Sequence, residues 1–168
     1  QDIGTLNTRF DEDGYVVLKD IIPSQRVTQF TQGFSALLSS ALASGAQPQL
    51  QDADPDLIEL LARCVKECTA EEYTGMLKVY VLSVATKQMM FGDALVDTIS
   101  RIFGHTNMSQ IGNPVMHVVG DRLKLTERAI HAPFHQDWPA LRSSRRTITC
   151  WLPIVGAVGD ASLLLKPG

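Results

Sequence analysis

His135 and Asp137 are the residues of this sequence whose types and spacing best fit metal chemistry. On an extended strand, side chains two residues apart project from the same face, so this imidazole and this carboxylate would point at one spot. A neutral nitrogen ligand and an anionic oxygen ligand make up two-thirds of the 2-His-1-carboxylate set that holds non-haem Fe(II). The triplet alone is explained at least as well by a surface histidine beside a solvated aspartate, so its sequence context has to decide.

The residues around this pair are typical of β-strands. A polar and basic connector, 140–146, leads into the β-branched and aromatic run 147–154, which predicts a strand. A glycine-containing turn over 156–160 and a short strand over 162–166 follow, before Pro167 and Gly168. Strand-like runs also precede the pair, at 115–119 and 122–125. The sequence therefore predicts a β-rich final third.

Three motifs stand out in this region: Phe134-His135-Gln136-Asp137-Trp138-Pro139, Trp151-Leu152-Pro153-Ile154, and the stretch from Gly159 to Gly168. They resemble landmarks of the phytanoyl-CoA dioxygenase-like family, and they occur in the family's order. The residues from Phe10 to Leu18 also resemble the family's usual opening, whereas roughly 41–112 carry no family motif. Members of this family are Fe(II)- and 2-oxoglutarate-dependent oxygenases.

The resemblance implies both a fold and a reaction. The fold would be α+β: a double-stranded β-helix, which is a cupin-like jelly-roll barrel, buttressed by N-terminal helices. We expect a single domain over 1–168, helical to about residue 104 and forming the barrel from about 105 onward. The reaction would hydroxylate a small molecule while 2-oxoglutarate is decarboxylated to succinate. Fe(II), 2-oxoglutarate as cosubstrate and O₂ would be required.

The same resemblance assigns roles to particular residues. His135 and Asp137 would be metal ligands. Thr149 and Trp151 would contact the cosubstrate, because the inward face of this strand lines the cosubstrate pocket in the family.

Three further residues are candidates for contact with the substrate, namely Arg122, Gln136 and Trp138. Arg122 would meet an anionic group, although solvent exposure is its alternative. Gln136 projects away from the ligands if the strand is regular, which also fits a packing role. Trp138 would either wall the substrate mouth or cover the barrel edge.

One departure from the family concerns the end of the sequence. In the family, Pro-Gly is followed by Ser or Thr and then by the second iron-binding histidine, and a later arginine binds the distal carboxylate of 2-oxoglutarate. The sequence stops at Gly168, so either the polypeptide continues or it lacks these residues. In the second case we would expect a non-catalytic jelly-roll module that binds a ligand or partner, since a fold does not fix a function. A two-ligand zinc or nickel isomerase of the cupin type is a third option.

The charge and the cysteine content of the sequence bear on its binding partners and its cellular location. A net charge of −3 argues against a general nucleic-acid binder. The basic excess between Arg122 and Arg146 is either a solvated face or a site for anions. The three cysteines lack framework spacing, and no signal segment opens the sequence. The uncharged stretch 27–51 is too polar to span a bilayer. We therefore predict a cytoplasmic protein without a membrane partner.

Apolar periodicity predicts that the first two-thirds of the chain is helical. We expect helices over 5–13, from Pro23 to about 42, from Pro55 through Val65, from a capping box at Thr69 to about Met90, and over 93–103. His105, His117 and His131 lack a partner at a diagnostic spacing, so none of them is assigned as a metal ligand.

Overall fold

The computed structural model describes residues 2–43, 56–110, 112–118, 147–155 and 163–165. Within these ranges the chain forms α1 (Ile3–Asp13), α2 (Ser24–Leu42), α3 (Leu57–Glu67), α4 (Ala70–Val81), α5 (Val84–Met90) and α6 (Asp93–Phe103). These helices account for 61% of the described residues. None of the helices in this part of the chain is long and apolar enough to cross a membrane.

The predicted double-stranded β-helix is wrong. A jelly-roll barrel needs strands joined by backbone hydrogen bonds between neighbouring segments, and no strand occurs in the described residues. The runs 115–118 and 147–154, predicted as strands, are irregular, and so is 163–165. Helical architecture therefore replaces the predicted α+β jelly roll in the described ranges. The predicted strand over 122–125 lies outside them.

Several helix ends occur where the local sequence predicts them. The capping box of α4 is confirmed: Thr69 Oγ1 accepts a hydrogen bond from Glu72 N–H (3.2 Å), and the Glu72 carboxylate accepts one from Thr69 N–H (2.8 Å). The bonds from Thr69 lower the pKa of Glu72. Gly14 and Gly104 end α1 and α6 with φ of 76° and 64°, as predicted. Short-range polar contacts thus fix these boundaries.

Two predicted helix starts are displaced by aspartate caps. α1 begins at Ile3 because the Asp2 carboxylate accepts a hydrogen bond from Thr5 N–H (3.1 Å). α3 begins at Leu57, because Asp56 Oδ1 accepts one from Ile58 N–H (3.0 Å). Pro55, the predicted start of this helix, lies outside the described residues.

The single helix predicted from Thr69 to Met90 is in fact two helices, interrupted at Leu82 and Ser83. Thr86 Oγ1 donates to Tyr80 O (2.9 Å), while Ser83 Oγ accepts from Thr86 N–H (3.2 Å). Hydroxyl groups that bond the nearby backbone compete with helix continuation and favour a new helix start. Ser83 therefore acts as the N-cap of α5.

α2 is the centre of the main core. Phe30, Phe34 and Leu38 recur on one face of α2 and are no more than 3% exposed, and this helix packs against α3 and α5. Leu60 and Met89 belong to the same buried cluster. α1 packs separately on α6, where Phe10 and Phe103 meet edge to face at 4.7 Å between ring centroids. The apolar stripe predicted for α2 is therefore the face that organises the helices.

Tyr80 is locked against α2 by ring contacts and a hydroxyl bond. Its ring stacks on Phe34 (centroids 4.8 Å apart, planes 24° apart) and meets Phe30 edge on at 5.0 Å. Its buried hydroxyl donates to Phe30 O. This places the hydroxyl beside Gly33, where a Cβ would lie 2.6 Å from the Tyr80 oxygen. Only glycine fits at position 33 as long as the tyrosine hydroxyl is present.

Gly33→Ala is accordingly expected to destabilise the protein although alanine is the better helix former. The intrinsic gain is about 1 kcal/mol, whereas forcing a methyl group into a packed contact costs about 1–3 kcal/mol. In a Tyr80→Phe background the clashing oxygen is gone and the nearest ring atom, Cζ, lies 3.6 Å away. The same Gly33→Ala change should then stabilise, and urea unfolding of the four variants of this double-mutant cycle measures the reversal of sign.

Gly75→Ala is the matched control for this cycle. Gly75 lies inside α4, and a Cβ there would meet nothing within 4 Å. Alanine at position 75 should raise the free energy of unfolding by about 1 kcal/mol in either background. If Gly33→Ala behaves like Gly75→Ala in the presence of Tyr80, the close contact does not exist.

Candidate functional site

The irregular segment 147–155 lies against the helical core through alternate residues at its end, 151–155. Leu152 and Ile154 are partly buried and pack on the cluster around Phe30 and Leu38. Trp151, Pro153 and Val155, between and beside them, are exposed. One face of the segment is therefore fixed by the helices, while the other faces outward.

Both predicted cosubstrate residues are on the outward side. Thr149 is exposed, and Trp151 is 42% exposed. Cys150 between them is exposed as well, whereas Leu152 and Ile154, which follow, are partly buried. Neither Thr149 nor Trp151 lines either of the two cavities described below. Among the described residues, this position is therefore an anchored surface.

The residues predicted to bind the metal and the substrate lie outside the described ranges. They are Arg122, His135, Gln136, Asp137 and Trp138. In the part of the chain that the structure does describe, no three His, Cys, Asp or Glu side chains come together in a group that could hold a metal ion.

His117 lies in a second irregular segment, 113–118, that also alternates against the core. Met116 and Val118 are partly buried and pack on the main cluster, whereas His117 between them is exposed. His105 is exposed too, just after the end of α6. Neither histidine belongs to a metal-binding group of described residues, so both serve as internal controls for metal binding.

The buried ionisable groups of the core are held neutral. Burial raises the pKa of Cys64 to about 12, and burial likewise raises the pKa of Tyr73 to about 12. The Cys64 thiol faces Leu38 O at 3.8 Å, and the Tyr73 hydroxyl has no hydrogen-bond partner among the described residues. A thiol needs a lowered pKa to act as a nucleophile near neutral pH. Cys64 is therefore a packing residue.

Two cavities lie among the described helices. One, of about 110 Å³, is lined by Leu82, Met90 and Phe91 together with Gln110, Asn113 and Pro114. The other, of about 230 Å³, lies where the start of α2, the end of α5 and the start of α6 meet, and Arg26 is on its wall. Sequence reasoning did not single out Arg26. Its only signal is that it is the last charged residue before the uncharged stretch 27–51.

Comparison with known proteins assigns no function. No protein-family model, curated protein or solved structure matches the chain. The resemblance carried by 134–139, 151–154 and 159–168 therefore stays a prediction from those residues.

Proposed function

We propose that this chain is part of an Fe(II)- and 2-oxoglutarate-dependent dioxygenase that hydroxylates a small molecule and releases succinate. The observation that carries the proposal is the His135-Gln136-Asp137 triplet, followed in the family's order by Trp151-Leu152-Pro153-Ile154. An imidazole and a carboxylate two residues apart form the part of a 2-His-1-carboxylate set that a short extended segment can supply. The remaining ligand would be a histidine of the kind that the family carries after its Pro-Gly pair.

The proposed roles divide between metal and cosubstrate. His135 would donate a neutral nitrogen and Asp137 an anionic oxygen to the ion, whose charge the carboxylate partly offsets. When bound, the iron and the cosubstrate supply the oxidative chemistry. Thr149 and Trp151 would hold the cosubstrate. In support, Leu152 and Ile154 of the same segment pack on the helical core, and a rigid support improves the positioning of contacting groups.

The proposed substrate is a small molecule that carries an anionic group. Arg122 would bind that group through its planar guanidinium, while Gln136 and Trp138 would complete the substrate contacts. We propose a cytoplasmic location, because Cys64, Cys68 and Cys150 are free thiols, as expected in a reducing compartment.

The decisive assay measures succinate formed from 2-oxoglutarate by the full-length gene product in air and under reducing conditions. We expect succinate only when Fe(II) and 2-oxoglutarate are both present. Samples in which Zn(II) replaces Fe(II) should remain at background, since zinc has no redox chemistry.

Absence of succinate, with no binding of Fe(II) or 2-oxoglutarate by calorimetry, would overturn the proposal and leave a non-catalytic ligand- or partner-binding module. Metal binding that is indifferent to 2-oxoglutarate would instead favour a metal-dependent isomerase.

A further inference from the structure

The cavity between the ends of α2, α5 and α6 has an apolar wall and a cationic edge. Ile22, Met89 and Leu95 contribute side chains to the wall, and Met89 and Leu95 are otherwise buried in the protein. Arg26 and Gln88 contribute polar groups, one from α2 and the other from α5. Small-molecule sites typically combine a mostly apolar lining with a few placed polar groups.

The hydrogen-bond partners of Arg26 among the described residues are neutral. Its Nη1 donates to Gln88 Oε1 (3.0 Å) and to Gln29 Oε1 (3.2 Å). No Asp or Glu carboxylate of the described residues forms an ion pair with Arg26; the ion pair found in those ranges joins Arg63 to Glu67. A guanidinium has five N–H donors, and those on Nε and Nη2 have no partner among the described residues. A fixed, half-buried cation with spare donors beside an apolar cavity is suited to a carboxylate.

The size and charge of the cavity define the ligand further. A cavity of about 150 Å³ holds benzene, which has six non-hydrogen atoms. The cavity beside Arg26 measures about 230 Å³, so in the same proportion it holds a ligand of about nine non-hydrogen atoms. Asp93 also lines the cavity, and because its negative charge repels any carboxylate, a ligand would place its one carboxylate at Arg26 and carry no second one. These two properties favour a small ligand with a single negative charge.

We propose that this cavity binds a small aliphatic monocarboxylate, with its carboxylate on the Arg26 guanidinium and its hydrocarbon chain against Ile22, Met89 and Leu95. The site uses none of the residues proposed for iron, 2-oxoglutarate or substrate. Its failure and the failure of the dioxygenase proposal are therefore separate outcomes.

The test titrates the full chain with hexanoate, which is close to the size of the cavity, and follows the backbone amide signals of Gly92 and Ala94 by NMR. We expect saturable shifts at these residues with a Kd of about 1 mM. Hexanamide has the same shape without the charge and should bind about tenfold more weakly or worse, because it loses the charge-assisted hydrogen bonds.

Two variants and one control localise the binding. Arg26→Gln should weaken hexanoate binding by about tenfold or more, whereas Arg63→Gln, an exposed arginine on α3, should leave the Kd within about twofold. Ala94→Leu keeps Arg26 and adds bulk to a residue of the cavity lining, so it should weaken hexanoate binding by about tenfold or more even if Arg26→Gln fails to fold. The proposal is overturned by unchanged amide signals at about 20 times the expected Kd, by equal binding of hexanamide, or by wild-type affinity in Arg26→Gln or Ala94→Leu.

Discussion

Replacing His135 or Asp137 by alanine should lower the Fe(II) affinity of the full-length protein by at least about a hundredfold and stop succinate formation. The estimate follows because changes in groups that merely support metal ligands cost about 10–100-fold in affinity or activity, and here a ligand itself is lost. Asp137→Ala additionally removes the anion that offsets the metal charge. Anaerobic Fe(II) titration by calorimetry measures the affinity, and the succinate assay measures the activity.

His117→Ala and Asp97→Ala are the matched controls for these two variants. Both native side chains are exposed, and neither belongs to a metal-binding group in the described ranges. Their Fe(II) affinity should match that of the wild type, and all four variants should keep the wild-type Tm of the metal-free protein. An Fe(II) affinity within about twofold of wild type in His135→Ala or Asp137→Ala, a change of less than about 0.5 kcal/mol, would show that the altered residue is not a ligand.

Leu38→Ala should cause a large loss of stability for a single truncation in the helical core. Leu38 is 0% exposed and lies on the face of α2 that packs against α3 and α5. Truncating a fully buried leucine removes apolar burial and leaves a cavity, at a cost of about 3–4 kcal/mol. For a chain of this size the Tm should fall by roughly 10 °C. Thermal unfolding followed by circular dichroism measures this shift.

Leu164→Ala makes the same chemical change at an exposed position. Leu164 is 73% exposed in an irregular segment, and surface substitutions usually change the free energy of unfolding by less than about 0.5 kcal/mol. If Leu38→Ala and Leu164→Ala destabilise equally, α2 is not the centre of the core.

Local signals predicted the helices better than any other part of the fold. The capping box at Thr69 and the glycine stops at Gly14 and Gly104 act within one turn of backbone, so the sequence contains all the interacting groups. The break at Leu82 and Ser83 was missed because apolar periodicity continues through it, while the deciding bonds come from the hydroxyls of Ser83 and Thr86.

The barrel was predicted from the family resemblance and its strands from β-branched and aromatic runs, and neither of these signals requires a sheet. Met116 and Val118, like Leu152 and Ile154, are the inward residues of segments that pack on helices. A single covered face produces the same period of two that a half-buried strand shows. Strand pairing depends on partner segments distant in sequence, which no local pattern specifies.

The two candidate sites differ in how far the sequence alone could identify their residues. Thr149 and Trp151 were selected from a motif, and the structure adds that they are exposed beside residues that pack on the core. Arg26 could not be selected, because its bond to Gln88 joins residues 62 positions apart. Only the packing of α2 against α5 brings those two groups to one cavity.

The most direct test of the iron proposal observes the imidazole of His135 itself. Isotope-labelled histidine side chains would be followed by NMR while Zn(II), a diamagnetic stand-in for Fe(II), is added to the full-length protein, with His135→Ala identifying the signal. The account predicts that the ring nitrogen signals of His135 shift and saturate at one metal ion per chain, while those of His105 and His117 stay unchanged. An unshifted His135 at saturating metal would contradict it.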